Sequence, residues 1–162
     1  MVAMKFWRGI KLNDNTIRIH GTGIAVNGAG VLFRGPSGAG KSDLALRMID
    51  SGAAVLVSDD QTDVFRRNGG LFMKAPASIE GLLEIRAVGI VPVDTASNAP
   101  LRLIVDLVRP EQLDRLPEPK TETILDYAVP VVALTPFEAS APAKVRAALR
   151  HLTDISRAEA AE

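Results

Sequence analysis

Two groups of residues could do chemistry together. Gly35, Pro36, Ser37, Gly38, Ala39, Gly40, Lys41 and Ser42 spell G-x-x-x-x-G-K-S, and Asp59 and Asp60 follow within one further helix and strand. The glycines let the backbone curl until successive N–H groups point at one anion. Lys41 sets a cation on the β- and γ-phosphates of a nucleotide, Ser42 offers a hydroxyl to Mg²⁺, and the helix that follows adds the positive end of its dipole. An apolar strand before the motif and an amphipathic helix after it supply the context that a phosphate loop requires. Cofactors of ATP and Mg²⁺ are expected accordingly.

Successive side chains on a strand point to opposite faces, so Asp59 and Asp60 can take different roles. One can serve the metal or the loop, and the other can face whatever receives the phosphoryl group. Both end a strand, at the edge where α/β sheets bind ligands. The pair could also merely begin a turn or cap a helix. Asp106, which ends the apolar run LIVD, competes as the acid that orders Mg²⁺.

The elements that must position these groups are legible as far as their patterns go. Thr16 to His20, Ile24 to Val26 and Val31 to Arg34 are β-rich runs separated by glycine turns. Ser42 to Asp50 has helical spacing at Leu44, Ala45, Met48 and Ile49, and Gly52 stops it. AAVLVSDD reads as a buried strand, and VFRRNGGLFMKA as a hairpin turning on Asn-Gly-Gly. Leu82 to Ile90 and Leu101 to Val108 are further strands. RPEQLDRLPEPKTETIL reads as a helix fragment with loop, AVPVVALTP as a strand, and Ala139 to Leu152 as a closing helix. The expected organisation is an arm or first strand over residues 1–15, one catalytic domain over 16–152 and a frayed tail over 153–162.

Composition narrows the partners. The 162 residues include nineteen basic and nineteen acidic side chains, so no general field draws the chain to nucleic acid or anionic lipid. Without cysteine there is neither disulfide nor thiolate metal site, as suits a reducing cytoplasm. No run of about 18 apolar residues suggests a membrane span. The expectation is a cytoplasmic protein that engages neither nucleic acid nor membrane.

Beyond these motifs, the chain resembles the catalytic domain of the HPr kinase/phosphorylases. The resemblance runs from about Ile17 to Leu149, through RIHG with His20, the loop GPSGAGKS, the Asp59-Asp60 pair, LLEIRAVGIVPV from Leu82 to Val93, and LDRL with Arg115. It implies an α/β fold with a mainly β core carrying a phosphate loop, related to phosphoenolpyruvate carboxykinases. It further implies a kinase that phosphorylates a serine of the carrier protein HPr, or of a nitrogen-system homologue, with reversal by phosphorolysis. Asp60 would be the base, Glu84 a metal ligand beside Ser42 and Asp59, and His20, Lys41 and Arg115 the other catalytic groups. A homohexamer is implied as well.

Bland readings stand beside these: His20 as a core-edge histidine, Glu84 and Arg86 as surface residues, and Arg115 as a solvated arginine. Three departures from the family pattern are visible: Ala87 where glycine is usual, one extra residue in SGAA, and TPFEASA where long members carry a basic loop tied to phosphorolysis. Kinase activity is therefore the expectation, with phosphorolysis left open. The expectation is that the family's N-terminal domain is absent and that its C-terminal helices are shortened. A small-molecule kinase and a nucleotide-binding regulatory module with little turnover are the alternatives.

Overall fold

The computed structural model describes residues 9–160, with side chains as far as Leu152. Twelve strands and two helices follow one another as β1 (Ile10–Asn13), β2 (Thr16–His20), β3 (Thr22–Val26), β4 (Ala29–Arg34), α1 (Lys41–Asp50), β5 (Val55–Ser58), β6 (Gln61–Arg67), β7 (Gly70–Lys74), β8 (Leu82–Ile85), β9 (Gly89–Pro92), β10 (Ala99–Leu107), β11 (Lys120–Ile124), β12 (Tyr127–Leu134) and α2 (Ala141–Ala160). Single turns of 3₁₀ helix lie at Ala77–Ile79 and Pro110–Gln112. The core is mainly β, with few helices.

β10 joins two regions of sheet. Its first residues pair antiparallel with β7, and its last pair in parallel with both β4 and β12. β4 also pairs antiparallel with β3, which in turn pairs antiparallel with β5. Strands β4, β5, β10 and β12 therefore run the same way, and their carboxyl ends share one edge. That edge carries the site.

Burial on both faces explains the uninterrupted apolar runs of the central strands. On β4, Val31 and Phe33 face α1 and α2, where Leu44, Met48, Val145 and Leu149 close one core. Leu32 points the other way, into a second core with Ile19, Val64, Met73 and Ile104 under the β2–β6–β7 sheet. Two cores and three layers result. Helices cover one face and antiparallel strands the other.

Several expectations are corrected. Leu82 to Ile90 is not one strand: β8 and β9 form a hairpin that turns at Arg86–Val88. The stretch expected as helix fragment and loop ends in β11, paired with β12 through a turn at Leu125 and Asp126, both with positive φ. Its alternation hid it, because within KTETI only Ile124 is buried. The closing helix begins at Ala141 and runs to Ala160, beyond the expected end at Leu152 and into the stretch read as a frayed tail. Of the expected N-terminal arm, residues 1–8 lie outside the described residues, and β1 is an exposed edge strand on β2.

The hairpin turn shows what the departure at Ala87 entails. Ala87 has φ +70°, where a Cβ crowds the following carbonyl, so glycine would be the relaxed choice. Ala87→Gly should stabilise the domain by about 1 kcal/mol, offset in part by glycine's greater unfolded-state entropy. Thermal unfolding should then show Tm rising by roughly 2–4 °C. No rise would mean that the strain relieved at Ala87 does not exceed the entropic cost of glycine.

Candidate functional site

The glycine-rich loop leaves the carboxyl end of β4 and runs into α1, whose first residue is Lys41. Gly38 and Gly40 both have positive φ, +81° and +98°. At Gly40 the need is also steric, since a Cβ would lie 3.0 Å from the Phe137 ring and 3.0 Å from Pro136. Lys41 is 6% exposed and folds back, its Nζ donating to the Gly35 carbonyl at 2.7 Å and the Pro36 carbonyl at 3.1 Å. Burial lowers its pKa below the ordinary lysine value, while the charges of Asp60 and Asp59 pull the other way. The loop is thus preformed around a cation.

Asp59 and Asp60 follow β5 and diverge. Asp59 is buried and accepts three hydrogen bonds: from the Ser42 hydroxyl at 2.6 Å, the Thr22 hydroxyl at 3.1 Å and the Glu84 backbone N–H at 2.9 Å. One carboxylate thereby ties the loop's serine, strand β3 and the β8–β9 hairpin together. Asp60 turns out into the cleft, with its Oδ1 2.8 Å from His20 Nε2. Its side chain is 61% exposed.

A tight turn produces the divergence. The Gln61 N–H donates to the Asp59 carbonyl at 2.7 Å, two residues back, around an Asp60 with φ +65°. This is a γ-turn with positive φ at its centre, the rarer and strained kind. Such strain, of order 1–3 kcal/mol, persists only where the surroundings over-determine it. They do so here: the Asp60 N–H donates to the Thr22 hydroxyl at 3.2 Å, and its carbonyl accepts the Gly21 N–H at 2.8 Å. Gly21 must be bare for that approach, since a Cβ would stand 2.7 Å from the Phe33 carbonyl.

A cleft of about 910 Å³ lies between the loop with the start of α1 on one side and the β8–β9 hairpin on the other. Lys41, Ser42, Asp60, Glu84 and Phe137 all line it. Glu84 is exposed there, while its backbone is held by Asp59. Arg115 is not brought to this cleft: it is exposed on the loop between the second 3₁₀ turn and β11. Among the described residues, no three His, Cys, Asp or Glu side chains converge as a metal site on their own. The Ser42 hydroxyl with Asp59 and Glu84 nearby suits a hard cation such as Mg²⁺, which keeps waters and takes few protein ligands.

Asp106, the competing acid, is committed elsewhere. Its two oxygens accept from Arg34 Nε at 2.7 Å and Nη2 at 3.0 Å, and Glu122 on β11 takes Nη1 at 2.6 Å. Burial works against the Arg34 charge, but the two carboxylates outweigh it and hold the guanidinium above its usual pKa. Arg34 and Thr22 went unrecognised in the sequence. Arginine at a strand end reads as a surface residue, and threonine in a strand reads as a strand former, so neither carried a signal.

A mainly β domain with a glycine-rich loop at the carboxyl edge of parallel strands is the class that fold and site define. Within it, the chain belongs to the family described as the HPr Serine kinase C-terminal domain, whose model matches residues 11–148. An HPr kinase/phosphorylase of Verminephrobacter eiseniae is 40% identical over 124 residues, covering 68% of this chain and 39% of the relative. One from Clostridium beijerinckii is 42% identical over 78 residues, 48% of this chain and 26% of the relative. The chain thus spans about two fifths or less of the length of these curated relatives. The solved structure of the HPr(Ser) kinase/phosphatase from Coxiella burnetii superposes with a TM-score of 0.76 at 26% identity, covering 89% of this chain and 95% of that one. Among the described residues, no helix is long and apolar enough to cross a membrane.

The buried arginine cluster yields a stability prediction. Arg34→Met leaves Asp106 and Glu122 facing each other without their shared cation, and removing one partner of a buried pair costs about 3–5 kcal/mol. Urea unfolding should show a lower midpoint at unchanged m-value. A midpoint within error of the parent would mean that the cluster does not hold β4, β10 and β11 together.

Proposed function

We propose that this domain is an ATP- and Mg²⁺-dependent kinase that phosphorylates a serine of an HPr-type phosphocarrier protein. The observation that carries the reading is the divergence of the acidic pair, with Asp59 on the Ser42 hydroxyl and Asp60 beside His20, both close enough to act on the Lys41 charge. Family membership supports the same assignment. The relatives' names, HPr kinase/phosphorylase, point to HPr as the acceptor and extend the reading to reversal by phosphorolysis, and the absence of cysteine suits a cytoplasmic setting. A homohexamer and a kinship to phosphoenolpyruvate carboxykinases are part of this proposal.

Phosphoryl transfer to a hydroxyl needs a cation at the phosphates, a metal and a positioned carboxylate. The Gly35–Ser42 loop receives the phosphates with its backbone amides, and Lys41 exchanges its two loop carbonyls for phosphate oxygens. Mg²⁺, when bound, would supply charge neutralisation at the phosphates. Ser42 would hold it, with Asp59 orienting that hydroxyl and Glu84, on the lining of the same cleft, as a further ligand. Asp60 accepts the proton of the acceptor serine. His20 holds the Asp60 carboxylate in place through the 2.8 Å contact. Arg115, away from the cleft of this chain, would act on the carrier or on a neighbouring copy.

The direct test is to incubate the protein with Mg-ATP and HPr-type carriers and to read intact mass. One added phosphate on a serine is expected, and added inorganic phosphate then tests reversal. Asp60→Asn separates chemistry from folding, because asparagine is at ease in the left-handed region. Transfer should be lost in that variant while ATP affinity stays near normal, since a base acts on the barrier more than on ground-state binding. Retained turnover would remove Asp60 from its role.

Lys41 gives a pH signature. Its pKa in the free protein is lowered, and phosphates favour the charged form, so binding restores the proton in the window between the lowered value and the bound one. ATP binding should accordingly take up protons as pH enters the alkaline range, and affinity should fall as pH rises through that window. Titration calorimetry in buffers of different ionisation enthalpy measures the uptake. Lys41→Ala should abolish it and weaken binding; uptake that survives the substitution would place the proton elsewhere.

A further inference from the structure

A nucleoside triphosphate has a second end, and nothing so far assigned receives it. The amides of the loop and Lys41 account for phosphates. Any protein surface that receives the base has to belong to another wall of the same cleft. Its aromatic lining residue is Phe137, 68% exposed, just beyond the carboxyl end of β12.

A single exposed phenylalanine is ordinary on a protein surface. What distinguishes Phe137 is that its segment is pinned. Arg47 on α1 donates to the carbonyls of Pro136 and Glu138, on both sides of the phenylalanine. Glu138 is further held by Lys144 at 2.6 Å, and Arg47 itself by Asp43 at 3.1 Å. The ring edge closes on Gly40, where a Cβ would stand 3.0 Å from Cζ and 3.1 Å from Cε1. A flat apolar surface is therefore fixed against the phosphate loop, open to the cleft and unused by the proposed phosphoryl transfer.

We propose that Phe137 is the platform on which the nucleobase of the triphosphate stacks. The inference rests on the kinase reading above, because it needs the phosphates in the Gly35–Ser42 loop. Ring stacking is favourable for every base, since every base offers a π-face, and a platform that is already in place costs little ordering on binding. Recognition of this kind reads the flat face and not the base edge, so it favours nucleoside triphosphates over bare phosphate chains more than it separates one base from another. Arg47 is a positioning residue, acting through the Pro136–Glu138 segment.

The test compares Mg-ATP with Mg-tripolyphosphate, which keeps the phosphates and lacks the base, by titration calorimetry on the parent protein and on Phe137 variants. The parent should bind ATP more tightly than tripolyphosphate. Phe137→Ala should lose roughly ten-fold in ATP affinity, the scale of a base–aromatic stack, with tripolyphosphate unchanged. Phe137→Leu retains an apolar contact with Gly40 but has no π-face, and should lose ATP affinity likewise; Phe137→Trp should hold or raise it. Unchanged ATP affinity in the alanine variant would overturn the proposal. So would equal losses for both ligands, which would make Phe137 a support of the loop. Tripolyphosphate and ATP both failing to bind the parent would instead overturn the phosphate-loop reading, and the platform with it.

Discussion

The buried carboxylate of Asp59 is the constraint on which the site depends. An ionised group taken out of water is tolerable only when its lone pairs are used, and three donors from three separate elements use them here: Ser42, Thr22 and the Glu84 amide. Meeting that requirement draws the start of α1, strand β3 and the β8–β9 hairpin toward one point. The cleft is the space left between them. Its neighbour Asp60 is then forced outward by the strained turn, and its exposure follows from the burial of Asp59.

The sheet makes this convergence possible. Because β4, β5, β10 and β12 run in one direction, the glycine loop, the acidic pair and the Thr135–Phe137 segment all emerge at the same edge. β10 is the strand that couples this region to the antiparallel sheet beyond it, through Ala99 and Pro100. Arg34 secures the base of the loop from the opposite side, pairing with Asp106 and Glu122 across two other strands. The position that an ordinary phosphate-loop protein would give to a metal-ordering acid is thus occupied by a structural ion cluster, and Asp59 is left as the carboxylate on Ser42.

Wherever a single periodicity carried the signal, the local elements were legible. The helix after Ser42, the hairpin turning on Asn68 and Gly69, and the strands before the loop and before Asp59 stand close to where their patterns put them. The misreadings have common causes. β8 and β9 merged into one strand because the turning residue is alanine and not glycine, and β11 vanished because an edge strand buries one side chain in five.

What the sequence by itself determined was the chemistry available: a loop able to cradle phosphates, a lysine, a hydroxyl and two adjacent carboxylates, whose parting was expected from strand alternation but comes from a turn beyond the end of β5 at Ser58. Which acid goes inward was decided only by the tertiary structure, because the donors that hold Asp59 lie 37, 17 and 25 residues away along the chain. The same holds for Asp106, whose partner Arg34 is 72 residues distant. It holds again for Phe137, which meets Gly40 only because β12 ends beside β4's loop. Spacing reports on neighbours in the chain, whereas desolvated charge is settled by neighbours in space.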